Sequence, residues 1–449
     1  MEIVHVSSVH YWGDTRILHK MCRSLADLGH RVHFVVPRSG FAPVETRHGV
    51  TIHAVAPPRN RLDRVTGTAR RVFRCAARIP ADLYHVHDPE LLGHAWRLQN
   101  RLGRPVVYDV HEDLRLQVYD KAWIPSWGRK LASLAVGRLE DRIAPRLAGV
   151  VAATPSIAQR FASHPNCALV QNLPILDELS RPDGPPIAKR APRVAYVGVI
   201  SQARGACQMA KAMALLPPAL RARLVMLGDC RPAELEEELR AIAGPELVEI
   251  RGWCGREEVA DVLAEASVGM VMSLPIRCYV DAQSTKLLEY LSVGLPVVVS
   301  DLPPARKIIE QVGCGLCVDP HDPQAIADAI RWLLGHPQEA QRMGRRGRAA
   351  VVSQLNWERE FQALLELYDR LTGHAAPRRR RPPVSSSPNE QARTTRPSRV
   401  RRGSPDPADC STEGLPAQGI VPGGARSGDR ARTGESPTRP PLPGKRGAA

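Results

Sequence analysis

The sequence predicts an α/β protein with two doubly wound, parallel-sheet halves that face a central cleft, followed by a disordered tail. Short β-branched runs alternate with amphipathic stretches up to about residue 373. A proline-rich segment interrupts this alternation once, and the composition changes again beyond residue 374. Because open α/β sheets bind ligands at the carboxyl ends of their strands, two such halves predict a binding cleft between them.

The strands and helices of both halves follow from hydrophobic periodicity. In the first half the predicted strands are residues 3–7, 32–36, 83–86, 106–109, 149–153 and 168–170, and the helices include 15–28, 91–102 and 132–143. In the second half the predicted strands are residues 194–199, 224–227, 247–250, 268–272, 296–300 and 316–318. Its helices include 206–216, 233–243, 257–266, 285–293, 323–334 and 358–371.

These elements predict five parts of the chain. They are an N-terminal Rossmann-like domain (1–172), a proline-rich linker (173–192), a C-terminal Rossmann-like domain (193–355), a terminal helix (356–373) and the tail (374–449).

The tail carries much of the positive charge. Residues 375–449 contain 15 Lys and Arg against 6 Asp and Glu, which leaves +7 for the rest of a chain whose total is +16. The tail has 13 prolines and 9 glycines and lacks phenylalanine, tryptophan and tyrosine. Such a segment buries too little apolar surface to offset its ordering entropy, so we expect it to be disordered. We expect no nucleic-acid partner.

The composition also bounds the cellular location. No apolar run reaches the roughly 18 residues of a membrane span. The first residues lack the pattern of a signal peptide, so we expect a cytoplasmic protein. The ten cysteines are scattered, as is typical of reduced structural thiols. The lone Cys314–Cys317 pair has no second pair to complete a zinc site.

The strongest candidate site lies around residues 281–299. Thr285 and Lys286 begin a predicted helix, whose free N–H groups form an anion site. Asp281 and Glu289 flank that helix start, and the Glu289 carboxylate is placed to accept two ribose hydroxyls. An exposed Lys286–Glu289 helix pair is the structural alternative.

This acidic spacing, followed by the strand after Gly294-Leu-Pro296, resembles the retaining GT-B glycosyltransferases of family four. The resemblance extends from the first strand to about Leu371. It implies transfer of a sugar from a nucleotide-sugar donor to a glycan or lipid-linked acceptor, with retention at the anomeric carbon. It also implies that the second half binds the donor, that the first binds the acceptor, and that no metal or other cofactor is required. Asp281, an expected catalytic residue, stands where family members usually have glutamate.

The glycine loop after the first strand of the second half supports this resemblance. Gly198, Arg204 and Gly205 match the family's donor loop, but Val199 stands where the family usually has a basic residue. The resemblance implies that cations neutralise the donor diphosphate. We therefore expect Arg204 and Lys286 to share this role with the start of the helix.

Histidines and carboxylates follow two successive strands of the first half, in residues 85–88 and 109–112. The resemblance implies that His111 lies against the donor sugar, as a catalytic residue. His87 is a candidate for ordering the loop or for contacting a substrate. A zinc site of His85, His87 and His111 is the alternative, although the neighbouring cysteines lack metal spacing.

The loop after the first strand contains Gly13 and Asp14. Many family members have paired glycines there, whereas this chain has Asp-Thr-Arg-Ile, like a subgroup involved in cell-surface polysaccharide assembly. Gly13 and Asp14 are candidate acceptor or donor contacts. For Asp14 alone we expect instead a cap on the helix that begins near Thr15.

Two basic segments are candidates for contact with an anionic membrane. In residues 114–146, Tyr119, Trp123 and Trp127 recur every four residues among basic side chains, and residues 59–78 contain seven arginines. Such faces suit an interfacial helix on anionic lipid, which would hold the protein on the inner face of the cell membrane. In the alternative, the aromatic rings pack into the domain and the arginines are solvated.

Two other functions remain open at this stage. The GT-B layout also occurs in nucleotide-sugar epimerases, and a catalytically decayed nucleotide-binding scaffold would be consistent with Val199 and Asp281. The acidic pair before the Gly-Leu-Pro-Val strand favours a transferase.

Overall fold

The computed structural model describes residues 1–39, 42–120, 124–181 and 184–374. The predicted tail beyond His374 lies outside these residues, as does Trp123 of the candidate membrane segment. The described residues form one compact unit, and the five predicted parts with their boundaries stay a prediction. None of the helices among the described residues combines the length and the apolar character needed to cross a membrane.

The first half forms an eight-stranded sheet. Its strands are β1 (Glu2–Val6), β2 (Arg31–Pro37), β3 (Val44–Arg47), β4 (Val50–Val55), β5 (Leu83–Val86), β6 (Val106–Val110), β7 (Gly149–Ala152) and β8 (Cys167–Leu169). Their order is β3-β4-β2-β1-β5-β6-β7-β8. Only the β3–β4 pair is antiparallel among these described strands. This hairpin was not predicted. Its two-residue turn, with φ of 51° at His48 and 75° at Gly49, is the conformation that a tight hairpin requires.

Six helices longer than three residues accompany this sheet in the described residues. They are α1 (Thr15–Cys22, continued by Arg23–Asp27), α2 (Arg61–Asp63, Arg64–Thr68 and Ala69–Ala76), α3 (Leu92–Leu102), α4 (Leu114–Gln117), α5 (Ser126–Ile143) and α6 (Pro155–Arg160). The three predicted helices are present. α5 begins earlier than predicted, directly after Pro125, and α2 lies within residues 59–78, which were predicted only as a candidate interfacial segment.

The second half forms a six-stranded, fully parallel sheet. Its strands are β9 (Arg193–Val197), β10 (Arg223–Leu227), β11 (Val248–Ile250), β12 (Val268–Val271), β13 (Val297–Ser300) and β14 (Gly315–Val318), in the order β11-β10-β9-β12-β13-β14. Its helices are α7 (Ala206–Ala214), α8 (Leu235–Ala243), α9 (Arg256–Glu265), α10 (Arg277–Val280), α11 (Thr285–Ser292), α12 (Pro303–Val312), α13 (Pro323–Gly335) and α14 (Pro337–Ser353). Both sheets therefore have the predicted doubly wound, mainly parallel architecture.

The last helix, α15 (Trp357–Thr372), returns to the first half of the chain. Trp357, Leu364 and Tyr368 are buried in the same apolar cluster as Ile3 of β1. The Trp357 indole N–H donates to the Ser24 hydroxyl at 2.9 Å. The hydrophobic effect therefore fixes the end of the described chain to the first sheet.

Candidate functional site

A cleft cavity of about 630 Å³ is lined by both halves of the chain. The first half contributes His111, Glu112, Asp113, Thr154 and Asn172, and the second contributes Arg204, Arg277, Tyr279, Asp281 and Thr285. An adjoining cavity of about 340 Å³ shares Glu112, Arg204, Tyr279 and Thr285 and adds Lys286. Four predicted site residues, His111, Arg204, Asp281 and Thr285, thus line one cavity, and Lys286 lines the next.

The donor loop brings the two predicted cations together. Gly198 has φ of 122°, and a Cβ built there would lie 2.6 Å from Lys286 Cε and 3.5 Å from Arg204 Nη1. A side chain at residue 198 would therefore displace Lys286. Gly205, at the start of α7, approaches the backbone oxygen of Met272 so closely that a Cβ would lie 2.0 Å from it.

The environment of these cations is unusual for charged groups. Burial, with the nearby Arg204 guanidinium, lowers the pKa of Lys286 to about 8. Arg204 Nε donates to the Tyr279 hydroxyl at 3.3 Å. Within the described ranges no ion pair involves Arg204 or Lys286, which leaves both cations available to an anionic ligand.

The two acidic residues of the motif occupy different environments. Asp281 is exposed and lines the cleft. Glu289 Oε1 instead accepts from Arg256 Nη1 at 2.9 Å, and Arg256 also donates to Glu178. The exposed Lys286–Glu289 pair considered above is wrong, because Lys286 is half-buried and the ion pair of Glu289 is with Arg256. Arg256 was missed by sequence analysis.

The opposite wall is built on a buried ion pair. Arg16 of α1 donates to Asp109 of β6 through Nε (3.0 Å) and Nη2 (2.8 Å). On Oδ2 of the same carboxylate converge His111 Nε2, at 2.9 Å, and His87 Nδ1, at 3.1 Å. Burial alone would raise the pKa of Asp109, but the Arg16 guanidinium and the imidazoles hold it well below its usual value. His87 is buried and orders this wall without lining the cleft cavities.

Further histidines continue this cluster into the core. His87 Nε2 lies 2.9 Å from His5 Nδ1, and His85 Nδ1 contacts the Tyr368 hydroxyl at 2.5 Å. Burial lowers the pKa of His87 to about 4, and those of His5 and His85 also fall well below the usual value. Buried, neutral imidazoles of this kind serve as hydrogen-bonding groups of the core.

The histidines of the alternative zinc site, His85, His87 and His111, do not form one cluster in the structure. In the described residues, the sets with ligand atoms within 4.8 Å of one another are His5–His85–His87 and His87–Asp109–His111, so His85 and His111 do not share a set. A cation in the second set would lie beside the Arg16 guanidinium, which already occupies both Asp109 oxygens. This proximity opposes a divalent ion there.

Asp14 caps the first helix, as predicted. Its side chain accepts from the N–H groups of Arg16 and Ile17 and contacts His10 at 3.2 Å. Burial would raise the pKa of Asp14, but these contacts lower it to about 2. Asp14 also lines a cavity of about 350 Å³ that includes His111. At Gly13, a Cβ would meet the Tyr11 ring at 2.8 Å.

The candidate membrane segment differs from its prediction. Tyr119 belongs to a separate short helix (Val118–Asp120), and its ring lies 5.0 Å below the Arg277 guanidinium. Tyr119 and Trp127 therefore lie in two separate helices, the second of which begins directly after Pro125. In α5, however, Trp127 is 84% exposed and Leu131 is 70% exposed, so these side chains are not packed into the domain.

The cysteine pair has no chemical signature of a reactive site. Burial raises the pKa of both Cys314 and Cys317 to about 11, which disfavours the thiolate. Both are free thiols.

Known proteins resemble both halves of the chain. The family described as Glycosyltransferase Family 4 matches residues 13–169, and the family described as Glycosyl transferases group 1 matches residues 191–336. A D-inositol 3-phosphate glycosyltransferase of Thermobispora bispora is 25% identical over 385 residues, or 78% of this chain and 87% of that protein.

Solved structures share the fold. Sucrose-phosphate synthase from Thermosynechococcus elongatus has a TM-score of 0.67 at 19% identity, covering 84% of this chain and 100% of that one. HepE of Anabaena, in complex with UDP, has a TM-score of 0.63 at 16% identity, covering 83% of this chain and 100% of that one. These are GT-B structures, so the fold predicted from the sequence is confirmed.

Proposed function

The chain belongs to glycosyltransferase family 4, and we propose that its cleft transfers a hexose from a nucleotide-sugar donor to a glycan or lipid-linked acceptor. Enzymes of this family retain the anomeric configuration. The observation that carries the proposal is the cleft itself, where Arg204 and Lys286 lie on one wall and His111 on the other. The family matches are to transferases, which disfavours the epimerase.

The cations suit the leaving group. When a nucleoside diphosphate departs, negative charge builds on its β-phosphate oxygen. We propose that Arg204, Lys286 and the free N–H groups at the start of α11 stabilise this charge. In a front-face mechanism the same phosphate oxygen takes the proton of the acceptor hydroxyl, so no protein base is required.

The remaining site residues are assigned around the donor. We propose that Glu289 binds the ribose through the oxygen that Arg256 does not occupy, and that Asp281 and His111 contact the sugar. Gly198 and Gly205 leave space for the Lys286 side chain and the Met272 backbone, which gives the shape of the loop that we propose binds the diphosphate. We propose that the loop of Gly13 and Asp14 faces the acceptor and that His87 acts only through Asp109.

We also propose that catalysis requires no divalent metal, because fixed cations are available for the charge that a metal would otherwise meet. Activity in the presence of a chelator tests this point. Loss of transfer on chelation, restored by added metal, would contradict it.

A panel of nucleotides tests the donor assignment. Because a ligand that binds only the folded protein raises its apparent stability, a matching nucleoside diphosphate should raise Tm more than its monophosphate. The corresponding nucleotide sugar should then be hydrolysed slowly or transferred by the purified protein. A panel in which no nucleotide shifts Tm and no nucleotide sugar is consumed would instead support the decayed scaffold.

The exposed face of α5 is an argument for the proposal that the acceptor is membrane-bound. Trp127, Leu131 and Leu134 recur at helical spacing and are 46–84% exposed, and Arg138 and Arg142 lie exposed further along the helix. Near α2, the side chains of His53, Arg71, Arg74 and Arg78 line a cavity of about 500 Å³. We propose that these surfaces contact anionic lipid on the inner face of the cell membrane.

Vesicle sedimentation tests this membrane proposal. The protein should sediment with phosphatidylserine vesicles, high salt should release much of it, and the double variant Trp127→Ser/Leu131→Ser should bind less. Trp332→Ser, on the partly exposed tryptophan of α13, is the matched control. Equal binding to neutral and anionic vesicles, or no effect of the double variant, would contradict the proposal.

A further inference from the structure

The protons around Asp109 can be assigned from the chemistry of its neighbours. An ionised carboxylate only accepts hydrogen bonds, and the Arg16 pair keeps this carboxylate ionised. His111 Nε2 and His87 Nδ1 both face Oδ2 of Asp109, so each must carry a hydrogen. Their mutual separation of 3.2 Å is then a contact between two donors that share one acceptor.

The same assignment extends inward from His87. A neutral His87 with a hydrogen on Nδ1 has a bare Nε2, which accepts from Nδ1–H of His5 at 2.9 Å. His5 is then left with a bare Nε2, and this atom is buried and has no hydrogen-bond partner. The inner members of the cluster therefore agree with the tautomers that Asp109 imposes.

The outer member of the cluster faces the cleft. His111 lines the cavity shared by the two halves. In the part of the chain that the structure describes, the polar contacts of His111 with Asp109 and His87 run through Nε2. A neutral imidazole with a hydrogen on Nε2 has a lone pair on Nδ1, so His111 can offer a ligand an acceptor.

We propose that Asp109, clamped by Arg16, is a positioning residue that holds His111 as its Nε2–H tautomer and leaves a bare Nδ1 for the donor sugar. This inference rests on the proposed function. It adds the chemical requirement on the substrate: the sugar must present a hydroxyl that donates to Nδ1. A donor deoxygenated or methylated at that hydroxyl loses this contact.

The tautomer is measurable in the unmodified protein. After selective labelling of histidine with ¹⁵N, the coupling pattern of each ring reports which nitrogens carry hydrogen, and the resonance lost in His111→Gln identifies His111. We expect the Nε2–H form. An Nδ1–H form, a ring with hydrogen on both nitrogens, or bound stoichiometric zinc would overturn the proposal.

Kinetics separate positioning from a general structural role. Asp109→Asn should lower kcat/KM for the active nucleotide sugar by about tenfold, and it should shift His111 toward the other tautomer. If Asp109 acts through His111, the double variant Asp109→Asn/His111→Ala should be no slower than His111→Ala, within about twofold. Losses that multiply in the double variant would overturn the proposal.

Glu140→Gln is the matched control. Glu140 is a buried carboxylate of the same half that pairs with Arg160, and its partners do not include His111. It should leave the His111 tautomer unchanged, and its kinetic effect should multiply with that of His111→Ala. A shift of the His111 tautomer in this control would contradict a specific role for Asp109.

Arg16→Lys provides a second variant if Asp109→Asn does not fold. It keeps the charge but loses the two parallel hydrogen bonds, so it should cause a smaller loss in the same direction. A wild-type protein that consumes no nucleotide sugar would refute the proposed function alone, because the tautomer measurement does not depend on turnover.

Discussion

The first-half wall of the cleft pairs its charges internally, whereas two cations on the second-half wall face the cavity with no acidic partner among the described residues. Asp109 is 1% exposed, and its carboxylate forms an ion pair with Arg16, with 2.8 Å between Oδ1 and Nη2. Lys286, in contrast, has its pKa lowered to about 8 by burial and by Arg204. The first wall is a preorganised scaffold, and the second holds an unfavourable charge arrangement that the proposed anionic ligand would relieve.

This contrast predicts opposite responses to substitution. Removing one partner of a buried ion pair strands the other and typically costs about 3–5 kcal/mol of stability. Removing a half-buried cation that has no acidic partner relieves a desolvation penalty, so the loss is expected in activity and not in stability. The two walls can therefore be told apart by comparing Tm with kcat.

The largest effect is expected at Lys286. Lys286→Met keeps the aliphatic stem but removes the charge, so kcat should fall by about a hundredfold to a thousandfold while Tm is maintained. Arg204→Ala should lower kcat by a similar factor. Steady-state kinetics and thermal unfolding of the same preparations measure both quantities.

Lys211→Met, at an exposed lysine of α7, is the control and should change neither quantity. A Lys286→Met enzyme that keeps its activity would contradict the proposed difference between the two walls of the cleft.

An intermediate effect is expected at Glu289. Glu289→Gln removes a charged acceptor for the ribose hydroxyls, so the KM for the donor should rise by about tenfold or more. Titration of the nucleoside diphosphate alone by calorimetry should show the same loss of affinity.

Glu178→Gln is the matched control, because Arg256 donates to both carboxylates. It weakens the other ion pair of the same guanidinium at a residue outside the proposed donor site, and it should leave the affinity nearly unchanged. Equal losses in both variants would mean that the Arg256 ion pairs, rather than a ribose contact, determine donor affinity.

The smallest effect is a pH dependence of donor binding. A bound diphosphate favours the protonated ammonium, so it raises the pKa of Lys286 above its free value of about 8. The affinity for the nucleoside diphosphate should therefore be greatest below about pH 8, where Lys286 is protonated in the free protein. Above this pH the affinity should fall by at most tenfold per pH unit, until the pH passes the pKa of Lys286 in the complex. Calorimetric titrations with the nucleoside diphosphate across this range measure the slope.

Lys286→Arg should bind more weakly than the wild type but without this slope, because a guanidinium stays charged throughout the range. A wild-type affinity independent of pH up to about pH 9.5 would mean that Lys286 does not meet the diphosphate.

Local sequence patterns were sufficient to predict many of the residues that form the second-half wall of the cleft. The glycine loop, the start of α11 and its lysine are close in sequence or follow a strand, so their meeting at the carboxyl end of the sheet could be expected. The ion pairs could not be predicted from the sequence. Arg16 and Asp109 are 93 residues apart, and Arg256 and Glu289 are 33 apart. Nothing in either segment indicates its partner.

Two features of the first half differ from the prediction for different reasons: one depends on a distant contact and the other on a local signal that was overlooked. Tyr119 and Trp127 recur at helical spacing in the sequence, but they belong to two separate helices, and the Tyr119 ring packs against the Arg277 guanidinium of the other half. The β3–β4 hairpin was missed, although the alternation of residues 44–55 and the His48-Gly49 turn carried its signal.

The sequence by itself determined the two α/β halves, the family and the residue types at the donor loop. These depend on hydrophobic periodicity and on short spacings between residues, which can be recognised in the sequence alone. Only the tertiary structure decided which charges are paired, which nitrogen of His111 faces Asp109, and which cations lack an acidic partner among the described residues. Those properties depend on burial and on contacts between distant segments, because the energy of a charge is set by whatever the fold brings within a few ångströms of it.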